Sequence, residues 1–158
     1  MRIIPAIDII DGKCVRLTQG DYAQKKIYNE NPLEVAKEFE DAGLKYLHLI
    51  DLDGAKAGKV VNWKVLETLT TNTKLNVDFG GGIKTDEEVR RLFDLGIKQV
   101  NIGSIAVTQP LKIGEWIELF GCEKIILSAD VKNEMIAISG WQEDSSILIT
   151  TFLKDYIQ

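Results

Sequence analysis

The sequence predicts an α/β protein with a parallel sheet, because two kinds of segment alternate along it. Short apolar, β-branched runs typical of buried strands are separated by segments with apolar residues at helical spacing. The predicted strands span residues 3–8, 46–51, 75–79, 99–103 and 124–130. The last four begin 24 to 29 residues apart, which indicates a repeating strand–helix unit.

Local signals predict where the helices begin and end. Asn31 stands before a proline at a helix start, and Thr85 is followed three positions later by a glutamate, the pattern of a capping box. Gly43 and Gly96 stand where a helix commonly ends. Residues 145–157 carry apolar residues at helical spacing and are predicted to form the helix after the fifth strand.

The arrangement of two aspartates favours a barrel over an open sheet. Asp8 and Asp130 each end a predicted strand and precede a turn and a short strand, and they lie 122 positions apart (130 − 8). At about 30 residues per unit this is half of a (β/α)₈ barrel. An open doubly wound sheet would carry its glycine fingerprint after the first strand, where it is absent.

We therefore interpret residues 1–158 as one partial TIM-barrel domain, an incomplete (β/α)₈ barrel with strands one to five and the fifth helix. A complete barrel takes about 250 residues. If the strands lie in sequential order, strands 3–8 and 124–130 are open edges, and such edges seek partners. A fragment of this kind is expected to associate with itself or to be marginally stable.

Composition excludes several classes of partner. The net charge of −5 and the pI of about 5.0 give no broad attraction for nucleic acid or an anionic membrane. No apolar run approaches the roughly 18–20 residues of a membrane span. Cys14 and Cys122 are not in the spacing of a metal site, so reduced thiols, no metal and a cytoplasmic location are expected.

Polar residues and glycines at the predicted strand ends are candidates for chemistry. Asp8 and Asp130 can act as an acid and a base, although a carboxylate at a strand end can also merely cap the next helix. Gly81 and Gly82 follow one strand, and Gly103 with Ser104 follows the next. Backbone at such loops can approach a phosphate closely. Gly81→Val is accordingly expected to weaken phosphate binding, without abolishing the fold if the loop is exposed.

Each of three further side chains has a structural and a functional interpretation. His48, the only histidine, is either a core residue or a functional group two positions from a strand end. Arg16 is either solvated or an anion contact. Trp141 either shields the barrel mouth or stacks on a heterocycle.

The chain resembles the isomerase family of histidine biosynthesis along its whole length. The resemblance lies in several motifs that occur in order: Ile4-Pro5-Ala6-Ile7-Asp8, Asp11-Gly12-Lys13, Val15-Arg16-Leu17, Gln19-Gly20-Asp21, His48-Leu49-Ile50-Asp51-Leu52-Asp53-Gly54-Ala55, Gly80-Gly81-Gly82-Ile83-Lys84, Ile102-Gly103-Ser104 and Gly140-Trp141.

The resemblance implies an Amadori rearrangement of a bis-phosphorylated ribonucleotide, in which an aminoaldose becomes an aminoketose without metal or cofactor. It implies that Asp8 is the general base and that Asp130 is the candidate for the acid. It assigns one phosphate site to Gly81, Gly82, Gly103 and Ser104. It assigns substrate contacts to Arg16, His48 and Trp141. The intact enzyme is expected to be a monomer.

Two alternatives remain open from the sequence. One is the cyclase subunit of imidazole-glycerol-phosphate synthase, which shares the glycine loops and both aspartates. The cyclase characteristically carries cysteine where this chain has Ala6. The other is an inactive phosphate-binding fragment of a barrel.

Overall fold

A mostly parallel sheet forms the centre of the protein in a computed structural model that describes residues 1–18, 20–138 and 143–157. Its strands lie in the order β3-β2-β1-β4-β5-β6-β7. In chain order they are β1 Ala6–Ile10, β2 Lys13–Thr18, β3 Asp21–Asn29, β4 Tyr46–Asp51, β5 Asn76–Gly80, β6 Gln99–Ile102 and β7 Ile125–Leu127. The pairs β1–β4, β4–β5, β5–β6 and β6–β7 are parallel, as predicted. The strand β2 is antiparallel to both of its neighbours, β1 and β3.

A small antiparallel sheet and the helices complete the described chain. The small sheet has the order β10-β9-β8, with β8 Asp130–Lys132, β9 Met135–Ile138 and β10 Glu143–Leu148. The helices are α1 Pro32–Asp41, α2 Leu52–Ala57, α3 Trp63–Asn72, α4 Asp86–Asp94, α5 Ser104–Thr108, α6 Pro110–Phe120 and α7 Ile149–Ile157. None of these helices is long and apolar enough to cross a membrane.

The predicted helix boundaries of α1 and α4 are confirmed. The Asn31 side chain accepts a hydrogen bond from the Leu33 N–H at 3.1 Å, and Thr85 forms a capping box with Glu88. After α1, the Gly43 N–H donates to the Glu40 carbonyl at 2.9 Å, and the corresponding bond ends α4 at Gly96. These caps satisfy backbone groups that a helix end would otherwise leave unpaired.

Alternation along the strands separates an apolar face from a polar one. On β4, Leu47 and Leu49 are fully buried and belong to a core cluster that includes residues of α3 and α4, such as Leu66 and Leu92. Burial of each such leucine stabilises the fold by about 1.5–3 kcal/mol. His48 and Ile50 are on the opposite face and are only partly buried. That face is where polar side chains of the parallel strands are available to a ligand.

The first and fifth parallel strands end at different residues from those predicted. β1 continues to Ile10 because Asp11 and Gly12, both with positive φ, form a two-residue turn that pairs Asp8 with Val15 of β2. Asp8 therefore lies in the middle of a strand. β7 ends at Leu127, and Asp130 instead begins β8.

The prediction that the first strand is an open edge is wrong at its carboxyl end, because β2 pairs with residues 8–10. The prediction is confirmed for the fifth parallel strand: within the described residues, β7 pairs only with β6.

The predicted helix over residues 145–157 is wrong in its first part. Residues 145–148 belong to β10, which pairs with β9, and the helix begins at Ile149. The positions of Ile147 and Leu148 are compatible with the apolar periodicity of a helix or of a strand. The hydrogen bonds that decide between the two come from a neighbouring strand, which the local sequence does not reveal.

Candidate active site

Seven of the nine predicted site residues line one cavity of about 450 Å³ at the carboxyl ends of the parallel strands. They are Asp8, His48, Gly81, Gly82, Gly103, Ser104 and Asp130. Arg16 is exposed on β2 and is not among the lining residues, and Trp141 lies outside the described residues. Cavities of this size at this end of a parallel sheet commonly bind small molecules.

Asp8 has the environment of a tuned acid–base group. It lies opposite Ile50 of β4 and is partly buried. Burial raises its pKa, while the positive charges of His48 and Arg16 act in the opposite direction. The two cations favour the ionised carboxylate, which is the form that can accept a proton.

Asp130 has a different environment at the rim of the same cavity. The residue is exposed, but the protein around its carboxyl group still raises its pKa by desolvation. No charged group among the described residues contributes to this shift, and Asp8 is not one of its causes. The two aspartates therefore differ through their surroundings and not through mutual repulsion, which was the other cause expected from the sequence.

His48 is paired with a carboxylate that sequence reasoning missed. The His48 Nδ1 atom forms a hydrogen bond with Oδ1 of Asp78, the residue directly opposite it on β5. The pKa of His48 is raised chiefly by this bond; burial acts in the opposite direction, and the charges of Asp78 and Asp8 add to the increase. The signal in the sequence was an aspartate between the apolar residues Val77 and Phe79 of a predicted strand, since buried carboxylates are rarely unpaired.

We predict that the His48–Asp78 pair makes stability depend on pH. Because the pKa of folded His48 is raised above its ordinary 6.5, the contribution is complete below pH 6.5 and is lost as pH rises through the folded value. The free energy of unfolding, measured by urea titration, should therefore exceed that of His48→Gln by more at pH 6 than at pH 9. An equal difference at both pH values would contradict the prediction.

The first glycine loop is required by packing. Gly81 has φ +109°, and a Cβ atom there would lie 2.2 Å from the Asp51 carbonyl oxygen. A Cβ atom on Gly82, φ +83°, would lie 2.4 Å from the Gly54 carbonyl oxygen. Neither position can accept a side chain without movement of the backbone. Gly103 differs, because a Cβ atom there would meet only the Ser128 oxygen at 3.9 Å.

Asp51 is a structural carboxylate that supports this loop. It is fully buried at the end of β4, where it accepts hydrogen bonds from the N–H groups of Gly54 at 2.8 Å, Val61 at 2.8 Å and Asn62 at 2.9 Å. It thus caps α2 and fixes the segment against which Gly81 packs. For this strand-end aspartate, the capping interpretation is correct.

The start of α4 is less suited to an anion than the sequence suggested. The Thr85 hydroxyl already accepts from the Glu88 N–H, and three acidic residues occupy the first turn: Asp86, Glu87 and Glu88. These carboxylates offset the positive end of the helix dipole. Lys84 lines the cavity beside the loop and is a cation that sequence reasoning did not select.

Other polar side chains of the cavity were also missed. The Ser128 hydroxyl donates to Oδ1 of Asn101, and both residues line the cavity. Tyr22 of β3 also lines the cavity, and its hydroxyl donates to the Leu52 carbonyl at 3.1 Å. Tyr22 enters through β3, a strand that was not predicted.

Comparisons with known proteins agree with the resemblance of the motifs. A family model described as "Histidine biosynthesis protein" matches residues 2–158. Similar relatives include proteins of Cytophaga hutchinsonii, 59% identical over 157 residues, Flavobacterium johnsoniae, 58% over 156, and Bacteroides thetaiotaomicron, 57% over 157. Each is named a 1-(5-phosphoribosyl)-5-(5-phosphoribosylamino)methylideneamino imidazole-4-carboxamide isomerase.

The alignments cover 99% of this chain but only 65–66% of each of these three relatives. The chain thus spans about two thirds of their length or slightly less. With the family model matching almost every residue, the chain belongs to the histidine biosynthesis protein family.

Proposed function

We propose that the protein containing this chain is an isomerase that converts the N-linked 5-phosphoribosyl aminoaldose of a bis-phosphorylated imidazole-carboxamide ribonucleotide to the aminoketose. The observation that carries the proposal is that Asp8 and Asp130 line one cavity together with the glycine loops. The names of the relatives support an isomerase and do not favour the cyclase or an inactive fragment.

The surroundings of the two aspartates suit an acid–base mechanism without metal or cofactor. Asp130, whose carboxyl group is favoured in its neutral form by desolvation, donates a proton to the ring oxygen, and the ribose opens to an imine at C1. Asp8, ionised beside His48 and Arg16, removes the proton from C2. The resulting enolamine tautomerises to the ketone, so the atoms rearrange without net gain or loss.

We propose that the backbone around Gly81, Gly82, Gly103 and Ser104 binds one phosphate group of the substrate. All four residues line the cavity, and Lys84 supplies a positive charge beside them. The same model assigns Arg16, His48 and Trp141 to substrate contacts. Because the glycines in the first loop are required for packing, Gly103 is the position at which backbone approach can be tested separately.

We further propose that residues 1–158 are a partial TIM-barrel domain, five strand–helix units of a (β/α)₈ barrel. The free edge of β7 supports this, as does the length of the relatives beyond the matched region. On the other side, β2 pairs only with residues 8–10 of β1, so that the Ala6 and Ile7 positions are available to a closing strand. We expect the complete enzyme to be a cytoplasmic monomer that binds neither nucleic acid nor membranes.

A polypeptide made of residues 1–158 alone is predicted to self-associate and to lack isomerase turnover. The β7 edge presents unpaired N–H and C=O groups, which other chains can pair with. Multi-angle light scattering at about 10–100 μM should show species larger than a monomer, because exposed strand edges associate in roughly this concentration range. A cooperative, active monomer would contradict this prediction.

The isomerase proposal is tested by incubating the complete protein with its aminoaldose substrate and following formation of the aminoketose by absorbance and mass. Conversion without change of mass supports the proposal. Failure to convert the aminoaldose, or turnover of the aminoketose with ammonia, would instead point away from an isomerase, the latter towards the cyclase.

A further inference from the structure

Asp78 binds His48 from the neighbouring strand, β5. The Asp78 side chain is 11% exposed and the His48 side chain 30% exposed. His48 lines the cavity, whereas Asp78 does not. The carboxylate is therefore placed to act on the imidazole and not directly on a ligand.

The bond to Asp78 selects the way in which the imidazole is presented. A carboxylate at Nδ1 requires a proton on that nitrogen, so Nε2 is an acceptor in neutral His48 and a donor in the cation. Nε2 has no hydrogen-bond partner within the described part of the chain. On the side of β4 away from Asp78, the residue opposite His48 is Ala6, which is too small to cover the ring.

The charges around His48 favour the cation. Asp78 on β5 and Asp8 on β1 both face the imidazole and raise its pKa, and Arg16 of β2 acts on Asp8. Stability alone does not account for a carboxylate at this position, because well-packed apolar residues often stabilise a fold as well as a buried ion pair does. A functional explanation is therefore preferred.

We propose that Asp78 is a positioning residue, which binds Nδ1 of His48 so that the imidazolium presents its Nε2–H as a hydrogen-bond donor to an oxygen atom of the sugar-phosphate substrate. The proposal rests on the isomerase function proposed above and adds Asp78 to it. Asp78 acts through His48 and does not touch the substrate.

The pairing is tested without catalysis by ¹⁵N NMR of the histidine side chains in the complete protein. The His48 signals are those that His48→Gln removes. In the wild type, the Nδ1 atom should stay protonated on both sides of the titration, and Asp78→Asn should lower the pKa of His48. The control Glu67→Gln, which removes a charge from an exposed position on α3, should leave that pKa unchanged.

The role in binding is tested by the KM for the aminoaldose as a function of pH. In the wild type, KM should rise as pH passes through the pKa measured for His48, because Nε2 ceases to donate. Asp78→Asn should shift that rise to lower pH and increase KM about tenfold at pH 7.5, as expected for a lost hydrogen bond from a charged donor. His48→Gln should abolish this pH dependence, and Glu67→Gln should retain it.

The outcomes separate this proposal from the isomerase proposal. If the aminoaldose is not converted at all, the isomerase function fails, while NMR still tests the pairing. The positioning role is overturned if Asp78→Asn leaves the pKa of His48 unchanged, or if it lowers that pKa without moving the pH profile of KM. If Asp78→Asn fails to fold, the wild type is tested instead by ¹⁵N NMR. Saturation with ribose 5-phosphate should then shift the His48 Nε2 signal and leave the Nδ1 signal unchanged. Any other pattern overturns the proposal.

Discussion

Replacement of Asp8 by asparagine is expected to lower isomerase turnover by about 10²–10⁴-fold, the usual loss when a general base is removed. The amide has nearly the shape of the carboxylate but cannot take the C2 proton. Asp8 is partly buried in the cavity wall, next to the charges of His48 and Arg16. The affinity for the substrate should change much less than kcat, since the cavity and the phosphate-binding loops remain.

The measurement is steady-state kinetics of the complete enzyme, with circular dichroism to verify folding. Asp41→Asn is the matched control, because it makes the same chemical change at an exposed position at the end of α1. It should retain wild-type turnover. If Asp8→Asn keeps more than about a tenth of wild-type activity, Asp8 is not the general base.

Gly81→Ala is expected to lower the free energy of unfolding by about 2–6 kcal/mol, since the strained backbone and the overpacked side chain each cost about 1–3 kcal/mol. The added methyl group would lie 2.2 Å from the Asp51 carbonyl oxygen at a residue with φ +109°. The sequence-based expectation for Gly81→Val required an exposed loop, and the structure does not meet that condition, because Gly81 is half-buried against the Asp51 backbone. The loss is a large part of the roughly 5–15 kcal/mol that stabilises a typical domain.

Gly103→Ala is the matched control for this effect. Its methyl group would meet only the Ser128 carbonyl oxygen, at 3.9 Å, so overpacking should cost less than about 1 kcal/mol. The methyl group would nevertheless occupy part of the cavity wall and should weaken binding of the substrate about tenfold, the equivalent of one hydrogen bond. Urea unfolding and calorimetry measure the two effects. Equal stability losses at both glycines, or unchanged affinity of Gly103→Ala, would contradict this division of roles.

Local chemistry in the sequence determined the repeating unit and most of the candidate site. The five parallel strands follow from apolar runs, and the ends of α1 and α4 follow from Asn31, Thr85 and the terminal glycines. Such signals act within a few residues and do not depend on distant partners. Asp8 and Asp130 were selected on the same basis and line one cavity, as expected from their half-barrel spacing.

Only the tertiary structure decided which partners these residues have. Periodicity cannot show that Asp78 faces His48, that Asp51 is an internal cap, or that residues 145–148 pair as a strand, because each depends on a segment brought close by the fold. The glycines that follow β5 and β6 also differ in a way that only the fold decides. Gly81 and Gly103 have equivalent places after neighbouring strands, but a backbone carbonyl lies against one and open space against the other, and sequence alone cannot measure that distance.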